Sequence, residues 1–440
     1  MSKVAPILPI YYDSNKKDYL RRNPHGRWQG FGKRDIVERL VALGLSLNPV
    51  SKDNPLNECD IVLQRITDEQ DVAYSGSLAG HSEGFYEKNG IRYLVTDSPT
   101  LIAPQKGDWH TIRSLISNML GGTQYTVFLS WLKIAASSLR SGHWTQQQAL
   151  AIAGEVACGK SFVQNYIITP CLGGRSAKAA RYMLGKTQFN SDLFEAEHLV
   201  MDDEFVSHKI ADRLALGAAI KKMTVSTESE SLHGKGRKAV PMSPFWRLTF
   251  TLNDNAEALQ VLPILNDDIC DKIIILKASK HDFSMPTDTQ EQKKLFLNAI
   301  RSEIPAFLYH LLYEFRIPDV MINPRYGVMS YQNPEIIEAL DEIAPETTLL
   351  RLIDSLLQNR EMKIEAIELR DRLYNNPETS LEARRLLDGW DGKTASYLGR
   401  LATKHPDRFS CPTNNKNRKW VIKPDSKKEE DGLIQILNAM

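Results

Sequence analysis

The sequence predicts an α/β fold built on a phosphate-binding core with a parallel-type sheet. Three observations lead there. The apolar run Ala149 to Ala153 has the length of a buried strand. It passes directly into Gly154-Glu155-Val156-Ala157-Cys158-Gly159-Lys160-Ser161, which fits the spacing G-x-x-x-x-G-K-[ST]. Phe162 to Ile168 can then continue as a helix. In that order, strand, loop and helix make an anion cradle. The glycines permit a tight turn, backbone N–H groups converge on phosphate oxygens, and the helix N-terminus faces the charge. Lys160 would reach the β- and γ-phosphates and Ser161 would offer its hydroxyl to Mg²⁺, so ATP and Mg²⁺ are the expected ligands.

Composition narrows the class. The chain has 440 residues, 42% hydrophobic and 25% charged, which is ordinary for a globular protein of several domains. No apolar run approaches the ~20 residues of a membrane span, and the opening residues do not read as a signal peptide. A cytoplasmic protein without membrane contact is expected. Net charge is only +1, so any nucleic-acid surface must be a local patch. Cys59, Cys158, Cys171, Cys270 and Cys411 are scattered without a C-x-x-C pair, against a zinc knuckle or a disulfide framework. Cys158 reads as a small filler within the loop.

In chain order, residues 1–104 read as an accessory α+β region. Asn23 to Trp28 suggests a turn and a strand. Asp35 to Leu43 is apolar at helical spacing and ends at Gly44. Asn54 to Tyr86 is expected to be irregular, and Ile91 to Val95 to be a strand. A helical lead-in over 105–145 contains helices at Asp108 to Leu120 and Thr126 to Arg140. The core of the chemistry spans 146–285, within a domain of 105–330.

Beyond the loop, His198 to Met201 is a short apolar strand that runs into Asp202, Asp203 and Glu204. Strand ends in an open α/β sheet gather at one edge, so these carboxylates could stand near Lys160. One would hold Mg²⁺ and the next would polarise the attacking water. Either Asp202 with Asp203, or Asp203 with Glu204, supplies that pair. A glycine-punctuated basic tip follows, with His233, Lys235, Arg237 and Lys238 between Met223 to Thr227 and Ala239 to Met242. Cations on such a tip suit a nucleic-acid backbone. Trp246 to Asn253 alternates as a strand, and Asn253 at its end can sense the γ-phosphate or the lytic water. Asp271 to Leu276 is a further strand, with Lys272 at its mouth.

Phosphate loop, acidic strand, basic hairpin and Asn-ended strand together resemble a superfamily 3 helicase, the AAA+-type motor of small viruses, phages and plasmids. More narrowly, they resemble the helicase module of phage, plasmid and satellite primase-helicase proteins. The likeness is strongest over roughly 105–280, and Tyr11 to Leu43 resembles the segment that precedes such motors. It implies an AAA+-like core, and motif A at Gly154 to Ser161, motif B at His198 to Glu204, a DNA-gripping hairpin at His233 to Lys238, and sensor 1 at Asn253. It further implies a ring-shaped homo-oligomer, a hexamer in expectation, that moves on single-stranded and forked DNA, with a separate primase or origin-binding protein as a further partner. Where the family often has an arginine that reaches the neighbour's ATP, this chain has Lys272; Arg175, Arg181 and Arg213 are the alternatives. No primase constellation precedes the motor. The rival readings are a non-translocating DNA-dependent ATPase switch, such as an origin-recognition or phage-defence factor, and a phosphate-loop kinase.

The tail predicts helices at Thr347 to Leu357, Ile364 to Tyr374, Thr379 to Leu387 and Thr394 to Lys404. A basic hairpin follows, at Arg408 to Ser410 and Arg418 to Lys423. That succession over 340–425 describes a winged helix, with Arg400, Lys404, Lys416, Arg418 and Lys419 as phosphate contacts. Residues 426–440 read as a charged flexible tail.

Overall fold

The computed structural model describes residues 9–51, 55–202, 210–225, 230–234, 238–282, 285–342, 344–357, 360–389, 392–411 and 419–424. Asp203, Glu204, Lys235, Arg237, Lys416 and Arg418 lie outside them. The chain divides into two compact units, Met1–Ile336 and Ile337–Met440.

The first unit opens with a four-stranded sheet of β1 (Ile10–Asp13), β2 (Asp18–Arg22), β3 (Trp28–Phe31) and β4 (Asp71–Val72), in the order β3-β2-β1-β4. Helices α1 (Lys33–Ala42) and α2 (Glu58–Glu69) cover one face, with Ile36, Leu40, Cys59, Leu63 and Ile66 packed on Ile10 and Tyr19. Gly44 takes a left-handed φ of +96° just past α1, as its place in the sequence suggests. The stretch expected to be irregular is not. Asn57 caps α2 by accepting the Asp60 N–H at 2.8 Å, and β4, β5 (Tyr74–Gly76) and β6 (Gly84–Lys88) follow. β7 (Ile91–Val95) joins β5 and β6 in a sheet of order β5-β7-β6.

Helices α3 (His110–Leu120) and α4 (Gly122–Ser141) lead into the central sheet. They bury Trp131, Phe128 and Ile112 against Ile300 and Phe307 of the helix Gln290–Tyr309. Glu303 of that helix accepts the Thr111 and Ile112 N–H groups at 3.2 and 2.9 Å, meeting the unsatisfied donors of the α3 N-terminus.

The central sheet contains β8 (Ala149–Gly154), β9 (Ser176–Lys178) and β10 (His198–Met201). After a hairpin of β11 (Glu230–Leu232) and β12 (Val240–Met242) come β13 (Arg247–Asn253) and β14 (Ile273–Ala278). The sheet is five-stranded, ordered β14-β8-β13-β10-β9, and every pairing in it is parallel. All six residues of β8 are buried, so the strand reads as an unbroken apolar run. Its register sets Gly154 beside both Asn253 and Ala278. Met223 to Val225, expected to flank the basic tip, end the helix Ile210–Val225. No helix among the described residues is long and apolar enough to cross a membrane.

The second unit contains the helices Pro345–Leu357, Ala366–Asn375, Ser380–Leu387 and Lys393–Lys404. An antiparallel sheet of β15 (Met362–Glu365), β16 (Phe409–Ser410) and β17 (Lys419–Ile422) completes it, in the order β15-β17-β16. β15 takes Ile364, which helical spacing had assigned to the following helix.

Candidate nucleotide site at the carboxyl edge of the sheet

β8 ends at Gly154, and the chain there has no room for a side chain. A Cβ on Gly154 would meet the Ala278 carbonyl oxygen at 2.1 Å. The loop then turns through two left-handed positions, Ala157 at φ +64° and Gly159 at φ +99°. Left-handed residues between right-handed ones aim successive N–H groups inward, as an anion nest requires. Cys158 is buried as a filler, Val156 is 72% exposed, and Glu155 is exposed. Gly159 is the N-cap of a helix that begins at Lys160, and exposed Ser161 stands in its first turn.

Lys160 is only 7% exposed. Its Nζ donates to the Gly154 and Glu155 carbonyls at 2.7 and 2.6 Å and approaches Asn253 Oδ1 at 3.4 Å. The ammonium therefore joins the loop to the end of β13, the two features paired from sequence. β13 lies between β8 and β10, so Asp202, directly after β10, ends at the same edge. The Asp202 carboxylate faces Lys178 Nζ of β9 at 3.1 Å, a cation that sequence reasoning missed because β9 is three residues long and largely polar. Gly154 to Ser161, Asn253 and Asp202 thus gather at one edge. With an N–H nest, a lysine, a hydroxyl and a carboxylate, the donor set fits a nucleotide phosphate chain and an oxygen-ligated Mg²⁺.

A buried polar chain lies toward the other end of these strands, where His198 pairs with Arg247. His198 is fully buried between Thr169 Oγ1 at 2.7 Å and Thr249 Oγ1 at 2.8 Å, and Gln164 Nε2 donates to the same Thr249 hydroxyl at 2.7 Å. Burial pushes the His198 pKa down to about 3, so the ring is neutral. Gln164 and Thr169 belong to the helical run after the loop, whose middle turn, Gln164–Ile168, is a π-helix. The chain couples that run to β10 and β13. Gln164 and Thr169, polar residues that share this run with the apolar Val163, Ile167 and Ile168, are the sequence signal for it.

Lys272 is not part of this cluster. It lies in a 3₁₀ turn before β14, where Ile273 pairs with Ala149, so it stands at the opposite edge of the sheet. Its side chain is 7% exposed and pairs with Asp271 at 2.5 Å. A buried, paired ammonium does not present a free cation to a neighbouring subunit. Among the alternatives, Arg175 is committed to buried Glu197, with Nε to Oε2 at 3.0 Å. Arg213 donates to the Leu262 carbonyl at 3.0 Å, and Arg181 is exposed on a short helix.

The basic tip has a firm base. Leu232, Val240 and Met242 of the hairpin pack with Tyr74, Leu78, Tyr93 and Val95. Buried Asn190 accepts the His233 N–H at 2.7 Å and donates to the Ser231 carbonyl at 3.0 Å. Asn15 accepts the Lys238 N–H at 3.0 Å and donates to its carbonyl at 3.2 Å. The His233 and Lys238 side chains are exposed. In the second unit, Lys404 pairs with Asp341 at 2.8 Å and with Glu346 at 3.5 Å, and Arg400 lies 3.6 Å from Glu346. Both were expected to face a phosphate backbone. Within the unit each also has the buried Glu346 of the neighbouring helix beside it. Lys419 is exposed at the start of β17.

No protein-family model and no curated protein matches the chain. Its fold is shared with solved structures of the apo NrS-1 C-terminal region. One of them, covering residues 305–718 of that protein, superposes with a TM-score of 0.54 at 12% identity, over 94% of this chain and 96% of that one. An A-form apo structure of the same region gives 0.53 at 12% identity, and a second gives 0.51 at 13%. The likeness at these identities is one of fold, and it extends over nearly the whole of both chains.

Proposed function

We propose that the protein is an ATP-dependent replicative DNA helicase of a phage, plasmid or phage satellite, working as a ring on single-stranded DNA. The observation that carries this reading is Lys160, buried at the mouth of the phosphate loop and 3.4 Å from Asn253. A cation that touches both the loop and the adjacent strand end can report phosphate-chain chemistry to β13. Bound Mg²⁺ would neutralise phosphate charge, with Ser161 and Asp202 or Asp203 holding it. Asp203 or Glu204 would orient the lytic water. The full-length resemblance in fold to the NrS-1 C-terminal region supports a common architecture for the two chains. In this reading the second unit is a winged helix, and Lys416, Arg418 and Lys419 at its hairpin contact DNA.

The alternative, a DNA-dependent ATPase switch that does not translocate, has its own support. Asn190 and Asn15 clamp the base of the basic hairpin, so a stroke of that element must break four hydrogen bonds. Forked DNA separates the two readings. A helicase displaces the annealed strand with ATP, and Lys160→Ala abolishes the displacement together with ATP turnover. Turnover that is stimulated by DNA without strand displacement selects the switch. Normal turnover in the Lys160 variant removes both.

A further inference from the structure

The face of the first sheet turned away from α1 and α2 carries aromatic rings that its small core does not absorb. Ile10, Tyr19 and Phe31 pack toward the helices, so strand alternation puts Tyr11, Leu20, Arg22 and Trp28 on the other face. There Leu20 is buried with Val72 and Leu94, and Tyr11 and Trp28 lie half-buried against them. Phe85 of β6 adds a third ring, 44% exposed.

These rings meet one another. Tyr11 stacks on Phe85 with ring centres 5.8 Å and planes 22° apart, and it meets Trp28 edge-on at 5.7 Å. Arg22 lies 5.0 Å over the Trp28 ring. Glu83 fixes that end, accepting from Trp28 Nε1 at 2.7 Å and pairing with Arg22 at 2.7 Å. The row is therefore in place before any ligand arrives, with the Phe85 end open to solvent.

The charge around the rings is one-sided. Tyr19 to Arg34 holds five arginines and lysines and no acid, in a chain whose 55 basic and 54 acidic residues balance overall. Glu83 offsets Arg22, and Lys33 and Arg34 face Asp60 and Glu38 of the covering helices. His25 and Arg27, on the turn between β2 and β3, are exposed, and their side chains have no partner among the described residues. Exposed rings favour flat apolar surface, and the surplus cations favour repeated anions. A single strand of nucleic acid offers both, because its unpaired bases show their faces and its backbone repeats a phosphate. A duplex keeps those faces inside its own stack. We propose that this surface binds single-stranded DNA, with a base on the exposed ring of Phe85 that extends the Phe85–Tyr11 stack, and with Arg27 on the backbone phosphates. It is a hold on the strand additional to the hairpin tip. Only the choice of DNA over RNA rests on the helicase reading.

The test irradiates the full chain, without ATP, with an oligothymidylate carrying iodouracil, a base that crosslinks to aromatic side chains stacked on it. Mass spectrometry should place adducts on Phe85 or Tyr11, in wild type and equally in Lys160→Ala. Phe85→Ala should weaken oligothymidylate binding at least about 5-fold and leave an abasic strand of the same length unaffected. Arg27→Gln should weaken both strands. Adducts confined to other parts of the chain would overturn the proposal, and this map is made on wild type, so it decides even where Phe85→Ala melts early. An equal loss for the abasic strand in Phe85→Ala would refute the stacking contact. Loss of assembly by Phe85→Ala in a native mass spectrum would make the surface a contact between copies, and tighter binding of oligouridylate with the same adducts would make the ligand RNA; either overturns the proposal. Adducts on these rings in a protein that fails to unwind a fork would support the contact and remove only the helicase reading.

Discussion

His198 carries a proton balance that solution measurements can read. Its ring is neutral in the fold, with a pKa near 3 against the ordinary 6.5. Below pH 6.5 the unfolded chain takes up a proton that the buried imidazole refuses. Stability is therefore fully present above about pH 6.5 and is lost as pH falls toward 3, by at most about 1.4 kcal/mol per pH unit from this group. Urea midpoints for wild type and His198→Gln, compared between pH 7 and pH 4.5, should diverge on the wild-type side; parallel curves would mean that the ring is not buried and neutral. Gly154 makes a second case. The Cβ of Gly154→Ala would sit 2.1 Å from the Ala278 carbonyl, and backbone cannot yield as a flexible side chain can. The β8–β14 pairing must shift, at a cost of about 2 kcal/mol or more, and ATP affinity should fall with it. A variant that melts and binds nucleotide like wild type would show that the strand end is looser than this contact implies.

Elements tell which parts of the sequence spoke clearly. β8 was legible because five apolar residues precede a glycine-rich turn, and β13 because Arg247 to Asn253 has strand composition with an amide at its end. β9 was silent, since Ser176 to Lys178 is short and lies at the sheet edge, where burial leaves little pattern. α2 was missed although Cys59, Leu63 and Ile66 recur at helical spacing, because polar residues between them blur the stripe. Lys272 was misplaced because, although it plainly precedes Ile273 to Leu276, the sequence does not say that this strand runs parallel to β8, and so which sheet edge its start occupies. The helix Gln290–Tyr309 had a readable start in Thr289 and Gln292, which form a capping box, although Pro305 within it obscured its length. The hairpin is the element with the most at stake. If Lys235 and Arg237 hold phosphates, the double alanine variant should flatten the salt dependence of single-stranded DNA binding by roughly one unit per lost contact. Basal ATP turnover should survive while unwinding disappears. Wild-type unwinding at moderate salt in that variant would relocate the grip on DNA. Asn190→Ala should loosen the hairpin without changing its charge, costing about 1–3 kcal/mol.

At the scale of the molecule, the chain's two compact units invite separation after Ile336. The first unit contains the whole central sheet and the phosphate loop. Expressed alone, it should turn over ATP within about tenfold of the full chain and retain some unwinding of a preformed fork, while duplex binding declines. Inactive yet folded protein would assign the second unit a part in the chemistry. Native mass spectrometry with ATP and single-stranded DNA should show a ring, and a monomer under those conditions would argue for the switch.

The order of the central sheet also bears on how the protein is made. β8 emerges from the ribosome before both of its neighbours, which are encoded far downstream and end at Asn253 and Ala278. At the usual pace of synthesis, the apolar strand and its loop wait roughly 5–20 seconds before the first side can be paired. Through that interval six residues that end up wholly buried have no sheet to enter, so the nascent chain is most open to aggregation and to chaperone capture there. Slow codons between β8 and β14 would lengthen the exposure, and a shorter connection would relieve it.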